Sequence, residues 1–136
     1  MERLYLEPTE SSPEIILSPE ENIFKIKGKS SPEDVRSMYY PVIAWIKAFI
    51  LMVVEGNSFH YSTDNPFVFK FEFTYFNSSS AKFIFDILTE IKRLNLAGVA
   101  VIIEWIYDEE DIDLKEAGAD MATLSEMEFT FIGTKH

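Results

Sequence analysis

Residues 67 to 76, FVFKFEFTYF, are almost all aromatic or β-branched, and no other segment limits the possible folds so much. Side chains of that kind fill the pleats of a strand, and so dense a run predicts a strand in the middle of a covered sheet. The pattern stops at Asn77-Ser78-Ser79-Ser80. From Ala81 onward the spacing turns helical, with Phe83, Ile84, Ile87, Leu88, Ile91 and Leu94 on one stripe, ended by Asn95 and Gly98. The junction therefore puts Ser78 near a helix N-terminus, beside free backbone N–H groups and a positive dipole end.

The rest of the chain repeats the theme. Leu4 and Leu6 alternate with polar neighbours until Pro8, and Glu14 to Leu17 and Ile23 to Lys27 pair as a hairpin across the turn Ser18-Pro19-Glu20-Glu21-Asn22. Ser31-Pro32-Glu33-Asp34 predicts a helix start, with the serine as cap and the proline at the first helical position. Val35, Met38, Tyr39, Val42, Ile43, Ile46 and Ile50 carry its apolar stripe to about Glu55, Gly56 ends it, and Pro41 predicts a kink. A polar loop spans 57–66. Val99 to Ile106 reads as a further strand, Leu114, Ala117, Met121 and Leu124 as one face of a third helix, and Met127 to Ile132 as a last strand. The expected fold is thus α/β: an N-terminal β-hairpin, then α-β-α-β-α-β, in a mixed sheet with helices packed on it. One domain over 1–136 suits the length, with the last few residues as a flexible end.

Composition excludes several classes of function. The chain has no cysteine, so disulfide frameworks and thiolate chemistry are out. A net charge of −11 repels phosphate backbones and argues against a nucleic-acid partner. The start MERLYLEPTE has no apolar run behind a basic end, so no signal peptide is expected. The apolar segment Pro41 to Val54 is shorter than the roughly 20 residues that cross a bilayer, which predicts a buried core helix, a soluble protein and no membrane insertion.

Few residues carry chemistry. Ser78, Ser79 and Ser80 could simply cap a helix, the commoner role of serine at such a position. Three hydroxyls exceed what a cap needs, however, and Lys82 stands one helical turn after Ser78, within reach of a phosphate placed there. A nucleophilic serine would need a positioned base, and the histidines are His60, in the polar loop, and His136, at the end. The acidic turn Asp108-Glu109-Glu110-Asp111 lacks the spaced ligands and glycine of a calcium loop and reads as a solvated turn leading a helix, so no metal is assigned. Trp105 and Tyr107 alternate with Ile106 at a strand end, the edge where α/β sheets gather their sites, and form a candidate partner surface or ligand-sensing site.

Element order resembles that of the STAS domains typified by anti-sigma-factor antagonists, and the chain looks more closely like the SiaC family of bacterial regulatory phosphoproteins. The residues carrying this are Ser31-Pro32-Glu33, Tyr40-Pro41-Val42-Ile43-Ala44-Trp45-Ile46, Tyr75-Phe76-Asn77-Ser78-Ser79-Ser80-Ala81-Lys82 and Trp105-Ile106-Tyr107-Asp108. The resemblance implies a STAS-like fold and a non-enzymatic, cytoplasmic switch without a cofactor. It places the phosphoacceptor on Ser78, with Ser79 as the alternative and Asn77, Ser80 and Lys82 as neighbours. It also implies partners: a diguanylate cyclase in cyclic-di-GMP and biofilm signalling, a serine/threonine kinase and a PP2C-type phosphatase.

Overall fold

The structure, a computed structural model, describes every residue except Asn57 and His136. Its elements run β1 (Leu4–Leu6), β2 (Glu14–Ser18), β3 (Ile23–Ser30), α1 (Val35–Val54), β4 (Phe67–Phe76), α2 (Ser78–Leu96), β5 (Val101–Asp108), α3 (Ile112–Ser125) and β6 (Phe129–Thr134). The strands form a 6-stranded sheet in the order β1-β2-β3-β4-β5-β6. β1, β2 and β3 pair antiparallel, and β3, β4, β5 and β6 pair parallel. The expected α/β fold is the one observed, with strand ends shifted by a few residues.

Because each parallel strand lies beside its predecessor, crossovers of one hand put their helices on one face of the sheet. Phe49 of α1 packs on Phe24 and Phe67 at 5.2 and 5.7 Å. Trp105 of β5 lies on the same face against Phe71 and Phe73, and its ring abuts Gly118 of α3. The expectation that β4 is covered on both sides therefore fails. Phe67, Phe69, Phe71 and Phe73 are buried, while Lys70, between Phe69 and Phe71, and Thr74, after Phe73, are exposed. The other face is bare and carries ion pairs between strands: Lys25–Glu14 at 3.5 Å, Lys27–Glu72 at 3.8 Å and Lys70–Glu104 at 3.9 Å.

Near its end β4 changes phase. Gly28 pairs with Phe73 but Lys29 with Tyr75, so β4 carries one extra residue, Thr74, as a bulge. Strict alternation would send Tyr75 inward. With the bulge Tyr75 is 51% exposed, and Phe76 turns in to meet Phe73 at 5.2 Å and Trp105 at 6.0 Å.

Further expectations are corrected. Helix α1 starts at Val35 and is capped by Asp34, whose carboxylate accepts from the Ser37 amide at 3.2 Å; Ser31 and Pro32 precede the helix. The 20-residue α1 runs through Pro41, and it is long and apolar enough to span a bilayer by length and composition alone. Its inner stripe (Tyr39, Val42, Ile46, Phe49, Ile50 and Val53) is core, but Tyr40, Leu51 and Val54 are exposed, so the helix is buried on one side only. The loop before β4 is less polar in effect than in composition: Phe59 and Tyr61 pack on Phe49. In α3, Leu114 and Met121 face the core, whereas Leu124 is 67% exposed.

Candidate functional site

The chain leaves the sheet at Asn77, at the carboxyl end of β4. Asn77 is the cap of α2, with extended backbone (φ −88°, ψ 174°) and a side-chain oxygen that accepts from the Ser80 amide at 2.9 Å. A serine is therefore not needed as the cap. Asn77 is itself anchored, its amide donating to the Ser30 carbonyl at 3.1 Å.

The three serines divide sharply. Ser80 is fully buried, and its hydroxyl donates to the Ser30 carbonyl and accepts from the Ser30 hydroxyl, both at 2.9 Å. With its proton committed to Ser80, the Ser30 hydroxyl accepts from the Tyr39 phenol at 2.6 Å. The result is a directed chain of hydroxyls pinning β3, α1 and α2 together. Burial pushes the Tyr39 phenol up to about 12. Ser78 and Ser79 are exposed, and neither hydroxyl has a hydrogen bond among the described residues. The first N–H groups of α2 lie beside them, where a dianion is favoured.

Lys82 does not lean over Ser78. Its ammonium sits 3.1 Å from Asp86 and 4.7 Å from the Phe83 ring centre, drawn the other way along the helix. What sequence reasoning missed is the opposite wall. Val35, Arg36 and Tyr40 of α1 line a groove of about 330 Å³ with Ser78, Ser79, Lys82 and Phe83. Helical spacing puts Arg36 and Tyr40 on one face of α1, but only the tertiary contact of α1 with α2 reveals which serines that face meets.

Trp105 is removed from the candidate surface. It is 1% exposed, stacks on Phe129, and donates its indole N–H to the Leu114 carbonyl at 3.0 Å. Tyr107 is half-buried with the Lys115 ammonium 6.0 Å over its ring. A groove of about 360 Å³ does open near these strand ends, bordered by Glu72, Phe73, Ile106, Tyr107 and Leu114. It arises because the β4–β5 ladder stops at Phe71 and Trp105, beyond which the two strands part. The acidic turn serves the backbone, Asp108 accepting from the Glu110 amide and Asp111 capping α3. No group of three or more potential metal ligands is gathered among the described residues.

His60 precedes β4 while the serines follow it. A ten-residue strand is roughly 33 Å long, so that imidazole is no base for Ser78. His136 lies outside the described residues. Ser78 and Ser79 are thus exposed hydroxyls without a base beside them among the described residues.

The chain belongs to the SiaC family of regulatory phosphoproteins, whose family model matches residues 6–134. It is a regulatory protein and not an enzyme. One relative, an uncharacterized protein of Pseudomonas aeruginosa (strain UCBPP-PA14), is 26% identical over 111 residues, covering 82% of this chain and 80% of that one. Among solved structures, apo-SiaC from Pseudomonas aeruginosa superposes with a TM-score of 0.80 at 22% identity, over 98% of this chain and 100% of that one. SiaC in the crystal structure of the diguanylate cyclase SiaD in complex with its activator SiaC, also from Pseudomonas aeruginosa, gives 0.78 at 23% identity, over 98% and 99%. At these identities the likeness is one of fold.

Proposed function

We propose that the chain is a phosphorylation-controlled binding switch with Ser78 as the acceptor, acting on a diguanylate cyclase. One observation carries the reading: Ser78 is exposed and unbonded at the first turn of α2, while Asn77 does the capping and Ser80 is locked in the core. Ser79 is the second choice, exposed in the same way. The cyclase comes from the related protein crystallised with SiaD; a kinase, a PP2C-type phosphatase and a cytoplasmic setting complete the scheme.

The physics of such a switch is local. A phosphate adds about −1.5 to −2 charges at neutral pH. A partner that buries a neutral Ser78 must then desolvate a dianion, at a cost of roughly 3–4 kcal/mol, or two to three decades in Kd. No change of fold is required. The test is binding of the full chain to the diguanylate cyclase of its own host. Ser78→Ala should bind like the wild type, and Ser78→Asp should lose at least about tenfold, a fraction of the phosphate's effect. Equal affinities would sink the switch, and phosphopeptide mapping decides between Ser78 and Ser79.

The parting of β4 and β5 favours a second reading, a small ligand sensed at the strand ends. A metabolite retained in native mass spectrometry would support it.

A further inference from the structure

Arg36 has a place in the groove but no task in the fold. It lies in the first turn of α1 and, with Tyr40 one turn on, lines the wall facing Ser78, Ser79 and Lys82. Its guanidinium is exposed and makes no hydrogen bond or ion pair among the described residues. The Asp34 carboxylate feels its charge, but that group is already held by the Ser37 hydroxyl at 2.7 Å and the Ser37 amide at 3.2 Å. On the opposite wall the charges are matched, Lys82 with Asp86 at 3.1 Å. The two cations of the groove are thus unequal. Lys82 would have to leave a carboxylate and an aromatic face to meet a phosphate, and Arg36 would leave neither.

We propose, resting on the Ser78 reading, that Arg36 is the internal phosphate clamp of this switch. The phosphoryl group on Ser78 turns across the groove and pairs with the guanidinium, tying the start of α2 to the start of α1. A guanidinium presents a planar fork of donors that matches two phosphate oxygens, whereas an ammonium offers a point charge. The pairing has a second effect. Tyr40, 57% exposed in the same groove, would be partly covered by the phosphate. Modification therefore removes an accessible cation and an accessible aromatic ring as well as adding negative charge, so the surface is masked by its own side chains as well as relabelled.

The experiment uses the full chain with phosphoserine installed at position 78 during translation, followed by phosphorus NMR across pH. A clamped phosphate should lose its second proton below the ordinary value of about 6. Arg36→Gln should raise that midpoint by about half a unit or more, Arg36→Lys should restore part of the shift, and Lys82→Gln should move it by less than about 0.2 units. Phosphorylation should also raise Tm in the wild type and not in Arg36→Gln. A midpoint that ignores Arg36→Gln, or one that follows Lys82→Gln instead, overturns the clamp and leaves Ser78 as acceptor intact. Mapping of the native phosphate to another residue overturns the Ser78 reading, and with it the clamp as a regulatory device.

Discussion

Replacing Ser80 by alanine should cost stability that Ser78→Ala and Ser79→Ala do not. The Ser80 hydroxyl is fully buried, with two hydrogen bonds to Ser30 at 2.9 Å. Alanine removes both. The Ser30 carbonyl keeps the Asn77 amide at 3.1 Å, so it is not orphaned. The Ser30 hydroxyl fares worse: its proton loses its acceptor, and if it turns to the Tyr39 oxygen it displaces the phenol's own proton. Either way one buried donor is left over. A lost bond costs about 1 kcal/mol and a buried orphan about 1–3 more, while alanine returns about 0.5 through helix propensity. The net is about 2–3 kcal/mol, a fall in Tm of about 6–15 °C for a chain of this size. Ser78→Ala and Ser79→Ala should stay within about 0.5 kcal/mol of wild type. Urea unfolding followed by circular dichroism reads all three, with an unchanged m-value showing that the unfolded state is the same. If Ser80→Ala proved as mild as Ser78→Ala, the hydroxyl chain would not hold the site and the division among the serines would be wrong.

Gly118→Ala sets helix propensity against packing, because the new Cβ would lie 2.5 Å from the Trp105 ring. The gain of about 1 kcal/mol from alanine is outweighed by overpacking and by strain on the Trp105–Leu114 hydrogen bond, for a net loss of about 2 kcal/mol in chemical denaturation. Asn77→Ala should lose about 1 kcal/mol with its cap, and Asn77→Asp should recover it, again by urea unfolding. Burial holds the Tyr39 proton up to about 12 against an unfolded value near 10. Its contribution is therefore complete below pH 10 and lost as pH rises to 12, by up to about 3 kcal/mol. Burial raises Tyr61 to about 12 as well, so Tyr39→Phe should make the fall over that window shallower without abolishing it, and an equally steep fall in the variant would contradict the assignment.

Much of the fold was legible because periodicity reports which side of an element is apolar. The stripe from Phe83 to Leu94 and the alternation of Phe24 and Ile26 became buried faces as read. The aromatic run of β4 misled, because Val68 and Thr74 have strand-forming side chains whether or not anything covers them; Lys70 and Glu72 were the better clue to a bare face. Asp34 displaced Ser31 as the cap of α1, since several residues in a row were competent to start that helix. At the site, Asn77 through Lys82 was readable as a helix start. The partners of those side chains were not. Ser30 and Tyr39 lie 50 and 41 positions from Ser80, and which hydroxyl sinks into the core is settled only when β3, α1 and α2 meet.

The extra residue in β4 has a consequence for how a chain of this kind can vary. Side chains beyond Thr74 face as they do because the strand slips by one position there. Straightening the strand there with Thr74 kept would send Tyr75 inward and Phe76 outward, and start α2 from the wrong side of the sheet, with Ser80 denied its socket; deleting Thr74 would instead leave Tyr75 opposite Lys29 and Phe76 opposite Ser30, facing as they do now. Loss of that one residue should therefore be accepted between Phe73 and Asn77, because the pairs that follow it are unchanged. The bulge absorbs a one-residue change of strand length before it reaches the serines.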